Sequence, residues 1–114
     1  MRLSRRRGHA FARIAGMYIR VWEYEVAADH TDAFLTAYGA DGDWARLFRR
    51  GRGYVGTELY RRTDDGARFL TVDRWTHQAA WRAFLEEWGD AYERLDMRMT
   101  RLTASKRGLL QGRD

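Results

Sequence analysis

DWARLFRRGRGYVGTELYRRTDDGARFLTVDRW, residues 43–75, is the stretch that decides the fold. Its first part predicts a short helix, because Trp44, Leu47 and Phe48 recur at i, i+3 and i+4 and therefore share one helical face. A helix of this length is not stable alone, so its apolar face must pack against neighbouring elements.

A β-hairpin follows this helix. Gly51 and Gly53 end the helix, since glycine readily adopts the left-handed conformation found at many helix C-termini. Two segments rich in β-formers come next, Tyr54–Arg62 and Arg68–Trp75. The Asp-Gly pair at 65–66 lies between them and is a strong signal for a hairpin turn.

A strand and a helix precede the central stretch. Met17–Val26, MYIRVWEYEV, is rich in the aromatic and β-branched residues that strands favour. The helix after it is capped by Asp29 or Thr31 and ends near Gly39. Its predicted buried stripe consists of Phe34, Leu35 and Tyr38.

The segment after the hairpin predicts the longest helix of the chain. Thr76 is a suitable N-cap, and the helix extends from His77 to about Trp88. Gly89 interrupts it, and Tyr92 and Leu95 indicate one or two further turns. Alternation over Met97–Thr103 predicts a last strand. The apolar stripe of the long helix consists of Trp81, Phe84, Leu85 and Trp88.

The resulting order, β-α-β-β-α-β, is that of ferredoxin-like α+β folds, with an antiparallel four-stranded sheet and helices on one face. The other face carries Ile19 and Val21 and, depending on strand phase, Leu70 and Val72. An exposed apolar sheet face normally marks an interface. We therefore expect a homodimer that closes sheet against sheet.

Composition excludes several classes of site. The chain has 114 residues, enough for one domain with a core. It has no cysteine, so disulfides, thiolate metal sites and cysteine nucleophiles are excluded. Its three histidines are too scattered for a histidine metal cage, and no apolar run approaches the roughly 18–20 residues of a membrane span.

The net charge of +5 resides in the first 16 residues, which contain five arginines and no acidic residue. We expect residues 1–16 to be a basic, disordered extension or a mis-assigned start before Met17, and residues 17–114 to be the domain. A basic arm can also contact nucleic acid or an anionic membrane. It lacks the apolar stretch of a secretory signal, so we expect a cytoplasmic protein. Almost all of the basic residues are arginine, and Lys106 is the only lysine. This preference for arginine is typical of GC-rich bacterial genomes.

The segments WARLFRRGRGYVGTELYR and RFLTVDRW, followed by a Trp-rich helix, resemble the antibiotic biosynthesis monooxygenase (ABM) domains of the dimeric α+β barrel superfamily. The resemblance covers roughly residues 17–105. It implies two sheets packed into a barrel at a dimer interface, and a pocket between helices and sheet in each protomer. The superfamily includes cofactor-independent quinol and anthrone monooxygenases, haem-degrading enzymes and members without known activity.

The haem-degrading branch is distinguished by three residues: an asparagine in the first strand, a tryptophan that ends the third, and a histidine about ten residues later. Trp75 matches the tryptophan. Trp22 stands at the asparagine position, Leu85 and Glu86 stand where the histidine is needed, and His77 lies too early. We therefore reject haem cleavage.

Strand parity predicts which side chains line the pocket. Trp75 shares a face with Phe69 and Asp73, and Trp22 shares a face with Tyr24. A flat aromatic lining suits a polycyclic or quinone-like ligand, although the same rings can simply fill a core. The predicted substrate-binding residues are Trp22, Tyr24, Trp44, Phe48, Arg49, Phe69, Trp75 and Trp81.

Asp73 and His77 are the predicted catalytic residues. Desolvation would raise the pKa of Asp73 and suit it to general-base work; alternatively it forms a salt bridge with Arg20, Arg49 or Arg82. His77 can accept a proton, or it is a solvated residue of the first helical turn.

The basic residues around Gly51 allow two interpretations. Arg49, Arg50 and Arg52 can attract an anionic substrate, or they are solvated and complement the helix dipole. Residues 52–54, Arg-Gly-Tyr, also begin like an RNA-recognition signature. The next two residues break that match and residues 17–114 are electrically neutral, so we expect no nucleic acid partner.

The leading hypothesis is a monooxygenase that needs no metal or flavin and oxidises an electron-rich phenol, quinol or anthrone-like molecule. Asp73 or His77 deprotonates the substrate, the anion reduces dioxygen itself, and aromatic walls exclude water. The alternative is a non-catalytic module of the same fold that binds a small molecule or dimerises.

Overall fold

The structure is a computed structural model that describes residues 17–113; the predicted basic extension, residues 1–16, lies outside the described residues. In chain order the elements are β1 (Tyr18–Glu25), α1 (Thr31–Tyr38), α2 (Asp43–Phe48), β2 (Tyr54–Arg61), β3 (Arg68–Trp75), α3 (Gln78–Met99) and β4 (Ser105–Arg113). Over residues 17–113, no helix is long and apolar enough to cross a membrane.

The four strands form one antiparallel sheet in the order β2-β3-β1-β4. β1 pairs with β3 along its whole length, with Tyr18 opposite Trp75. β2 and β3 form the predicted hairpin, with an irregularity between Tyr54 and Gly56. The ferredoxin-like β-α-β-β-α-β arrangement is confirmed.

The secondary structure predicted for the last part of the chain is wrong. The segment Met97–Thr103 is not a strand, because α3 continues through Gly89 to Met99, and the last strand is Ser105–Arg113. A glycine inside a helix costs only about 1 kcal/mol. Burial of Leu95 and Met99 against the core outweighs that cost.

The helices cover one face of the sheet, and aromatic rings fill most of the layer between them. On α1, Phe34, Ala37 and Tyr38 take the buried side, so the predicted burial of Leu35 is wrong: it is 39% exposed. The largest side chains with at most 1% exposure are Trp75, Phe34, Phe69 and Phe84.

The opposite face of the sheet carries no helix among residues 17–113. Val21 on β1 lies directly opposite Val72 on β3 and Leu110 on β4. Ile19 and Leu70 face the same side because side chains alternate along a strand. The predicted apolar face is confirmed, and Leu110 is 62% exposed on it.

Substitution by alanine at two glycines should change the free energy of unfolding in opposite directions. Gly53 has a φ of +87°, and a Cβ there would lie 2.5 Å from Thr76 Oγ1 and 2.8 Å from the Ala80 Cβ. We expect Gly53→Ala to lower the free energy of unfolding by about 1–3 kcal/mol. A Cβ at Gly89, inside α3, meets nothing within 4 Å, so Gly89→Ala should raise it by about 0.8–1 kcal/mol. Equilibrium urea unfolding of both variants measures the signs; a destabilising Gly89→Ala would contradict a continuous α3.

Candidate functional site

A cavity of about 140 Å³ lies between the helix-covered face of the sheet and the helices. Alternation along β1 and β3 places every second side chain of each strand in its floor. The helices contribute residues spaced by whole turns, such as Trp44 and Phe48 on α2. The lining consists of Arg20, Trp22, Tyr24, Tyr38, Trp44, Phe48, Thr57, Thr71, Asp73, Trp81, Tyr92, Asp96 and Lys106.

Asp73 is a buried carboxylate in this floor, only 8% exposed. Burial raises its pKa from 3.8 to about 6, whereas a hydrogen bond from Thr57 and the charges of Arg20 and Arg74 act in the opposite direction. Thr57 Oγ1 donates to Asp73 Oδ1 at 2.6 Å, and the Tyr54 hydroxyl lies 2.5 Å from Thr57 Oγ1. A carboxyl group with this pKa can accept and return a proton near neutral pH.

Of the other charged side chains in the cavity lining, two form an ion pair with each other, and Arg20 stacks on an aromatic ring. Lys106 Nζ on β4 lies 2.6 Å from Asp96 Oδ1 on α3, so these two charges form an ion pair. Arg20 on β1 lies over the Trp81 ring, with its guanidinium carbon 4.3 Å from the ring centroid. Its Nη1 donates to Gln111 Oε1 at 2.6 Å.

The three tyrosines of the lining are neutral near physiological pH. Burial raises the pKa of Tyr38 to about 12 and raises those of Tyr24 and Tyr92 above their ordinary value. Their hydroxyl groups therefore remain hydrogen-bond donors and add no negative charge to the cavity.

Two buried polar atoms of the lining, Trp44 Nε1 and Thr71 Oγ1, have no hydrogen-bond partner among the described residues. They lie near enough to the hydroxyls of Tyr38 and Tyr24, respectively, to lower the pKa of those phenols, but outside hydrogen-bond geometry. Buried polar groups usually find a partner. These two groups are therefore unsatisfied polar atoms in residues that line the cavity.

The structure brings six of the ten predicted site residues to the cavity and leaves four outside it. Phe69 and Trp75 share the predicted face but are packed in the core at 1% and 0% exposure. Arg49 is exposed and pairs with Asp41 at 2.7 Å. The six that line the cavity are Trp22, Tyr24, Trp44, Phe48, Asp73 and Trp81.

His77 is the fourth predicted residue outside the cavity. It is exposed and is the N-cap of α3, a position predicted for Thr76, and its Nδ1 accepts from the Ala80 backbone N–H at 3.1 Å. Asp73 makes no ion pair with a described residue, so the predicted salt bridges with Arg20, Arg49 or Arg82 are not formed within 4 Å in residues 17–113.

Seven lining residues lie outside the predicted set. Arg20, Tyr38 and Thr71 lie on predicted faces of β1, α1 and β3 but were not predicted as site residues, and the other four were missed for identifiable reasons. Thr57 faces Asp73 only because the hairpin shifts register near Gly56. Tyr92 and Asp96 reach the cavity because α3 continues past Gly89, and Lys106 reaches it because the last strand is Ser105–Arg113 and not Met97–Thr103. In the part of the chain that is described, no three His, Asp or Glu side chains cluster as metal ligands.

Solved structures of similar fold come from several organisms. A Nitrosomonas europaea protein, provisionally described as an antibiotic biosynthesis monooxygenase, is 20% identical with a TM-score of 0.64, covering 86% of this chain and 90% of that one. SnoaB from Streptomyces nogalater, a cofactor-independent oxygenase, is 21% identical with a TM-score of 0.56, covering 84% and 93%. A dimeric ferredoxin-like protein from an uncultured marine organism is 10% identical with a TM-score of 0.63, covering 87% and 88%.

These structural similarities show the fold, whereas the family assignment rests on a match of the sequence to a protein family. No curated protein is significantly similar to the chain. Residues 17–94, more than half of the chain, match the family described as antibiotic biosynthesis monooxygenase. The match contains β1 to β3 and most of α3, which carry all lining residues except two. The chain therefore belongs to the antibiotic biosynthesis monooxygenase family.

Proposed function

We propose that this protein is a monooxygenase that oxidises a single-ring, electron-rich phenol without a metal or flavin, with Asp73 as the base. The observation that carries the proposal is a buried carboxyl group with a pKa of about 6 in the floor of a ring-lined cavity. Membership of a monooxygenase family supports it, as does the similar fold of SnoaB, described as a cofactor-independent oxygenase.

The chemistry starts when Asp73 accepts the proton of the phenol hydroxyl. The phenolate transfers one electron to dioxygen, and the phenoxyl radical and superoxide combine to form a ring C–O bond. Asp73 returns the proton to the peroxide oxygen. As the O–O bond breaks, Asp73 removes the ring proton at the new C–O bond and passes it to the departing hydroxide, which leaves as water. One phenol and one dioxygen thus give one quinone and one water, and the phenol supplies all four electrons.

The size of the cavity narrows the substrate class. Its volume is about 140 Å³, and an apolar protein cavity of about 150 Å³ holds one benzene molecule. A three-ring anthrone needs considerably more room. We therefore narrow the expected substrate from a polycyclic or quinone-like molecule to one with a single aromatic ring, whose hydroxyl group can donate to Asp73.

We also propose a homodimer formed through the open sheet face. That face presents an apolar patch centred on Val21 and Val72, flanked by ion pairs such as Glu23 with Arg62, and exposed apolar patches mark interfaces. The similar fold of a dimeric ferredoxin-like protein is in agreement. The cavity lies on the opposite face of the sheet, so each protomer retains its own site.

The base assignment predicts a pH-dependent activity. With 2-methoxyphenol, oxygen uptake per active site should rise with pH through about 6, because ionised Asp73 is the active form. Asp73→Asn should reduce the rate by about 10²–10⁴-fold, whereas Asp90→Asn on the exposed surface of α3 should not. Quinone should appear in a 1:1 ratio to oxygen consumed. Equal oxygen uptake by the wild type and Asp73→Asn would rule out Asp73 as the base. Binding of the phenol without oxygen uptake would favour the non-catalytic module.

Burial of Asp73 also predicts the pH dependence of stability. The folded pKa of about 6 lies above the ordinary 3.8, so the folded state binds the proton more tightly than the unfolded chain. The associated stability is present below pH 4 and is lost as pH rises towards about 6. Asp73→Asn should abolish this loss and be more stable than the wild type at pH 7, by on the order of 3 kcal/mol. Urea unfolding at pH 4, 5, 6 and 7 measures it; parallel curves for the two proteins would contradict a raised pKa.

The dimer proposal predicts that a charge on the sheet face separates the protomers. Val72→Asp should be a folded monomer in size-exclusion chromatography with light scattering, since a buried unpaired carboxylate strongly disfavours an apolar interface. Met97→Asp, at a side chain 78% exposed on α3, should remain dimeric. A monomeric wild type at micromolar concentration, or a dimeric Val72→Asp, would overturn the assignment.

A further inference from the structure

Arg20 lies beside the proposed base in the floor of the cavity. Arg20 on β1 is directly opposite Asp73 on β3, so their Cβ atoms are about 4.5–5.5 Å apart. The guanidinium stacks over Trp81 at 4.3 Å, and its Nη1 donates to Gln111 Oε1 at 2.6 Å and to the Tyr18 hydroxyl at 3.5 Å. Because arginine has five N–H donors, Nε and Nη2 remain for groups inside the cavity.

The charges of the cavity leave Arg20 without an ion-pair partner. Among the other groups of the lining, Lys106 and Asp96 pair with each other. Arg20 is within 4 Å of no carboxylate among residues 17–113. Its positive charge instead acts on Asp73 through space. When the Asp73 carboxylate takes a proton from a substrate, the negative charge moves to the substrate oxygen and remains next to the same cation.

Tyr92 shows what Arg20 does to a phenol in this cavity. Burial raises the pKa of Tyr92, and the nearby positive charge of Arg20 acts in the opposite direction. Arg20 therefore already favours the phenolate form of a phenol that belongs to the protein. A substrate phenol in the same space has the same reacting group.

We infer that Arg20 is a further catalytic residue that binds the phenolate oxygen of the substrate, so that the cavity selects ligands that bind as phenolate anions. The inference rests on the proposed function for the identity of the ligand. Asp73 takes the proton and Arg20 holds the resulting anion, which keeps the electron-rich form of the ring populated for its reaction with dioxygen. Both side chains project from paired positions on rigid strands, so their relative geometry is fixed by the sheet.

Binding of 4-nitrophenol tests this role without turnover, because its phenolate absorbs visible light and its phenol does not. We expect the pKa of the probe bound to the wild type to lie about 1–3 units below its pKa when bound to Arg20→Gln. Arg20→Lys should recover part of the shift, since it restores the charge without the planar guanidinium. Arg82→Gln, at an exposed arginine on α3 outside the cavity, should match the wild type.

Equal probe pKa values in the wild type, Arg20→Gln and Arg20→Lys would overturn the inference, and so would a wild type that does not bind the probe. If Arg20→Gln fails to fold, an Arg20→Lys variant with the wild-type pKa supports a charge effect and one with the free-probe pKa opposes it. Oxygen uptake is measured separately. A shifted probe pKa without uptake from any phenol would remove the proposed function and leave Arg20 as an anion-binding residue.

Discussion

Packing of one side chain, Phe48, holds the two layers of this protein together. Its ring centroid lies within 6.4 Å of the ring centroids of Tyr54 and Trp75 from the sheet and of rings on α3. α2 has only six residues, so it owes its position to these contacts and not to helix propensity. The width of the rings sets the separation of the layers.

The cavity follows from that separation. Where the sheet presents large rings, as at Phe69 and Trp75, the space between the layers is filled. Where it presents Thr57, Thr71 and Asp73, the side chains are too short to reach the helices, and interiors that cannot close around short side chains leave space. The same short residues are polar, so the unfilled space contains the hydrogen-bonding and ionisable groups.

The two faces of the sheet therefore have separate roles. On the helix-covered face, Asp73 lies opposite Arg20 in the strand register without an ion pair between them, and burial of the ionised carboxylate there costs stability. The open face has apolar centres such as Val72, together with Glu23 held between Arg62 and Arg107. A single strand such as β1 supplies alternate residues to both faces, so a shift of its register by one residue would exchange them.

The sequence by itself determined the parts of this protein that depend on local pattern. Strand parity placed Trp22, Tyr24 and Asp73 on the covered face, and helical spacing brought Trp44 and Phe48 to it, because periods of 2 and 3.6 are properties of the backbone. Parity could not separate Trp22, which lines the cavity, from Trp75, which fills the core; both obey the same alternation.

Only the tertiary structure decided the rest. Whether α3 stops at Gly89 depends on the burial of Leu95 and Met99 against distant residues, and that burial outweighs the local cost of glycine. The last strand has a weak pattern of its own, and backbone pairing with β1 places Lys106 at the cavity. These outcomes depend on contacts between segments far apart in the chain, whose energies no local periodicity contains.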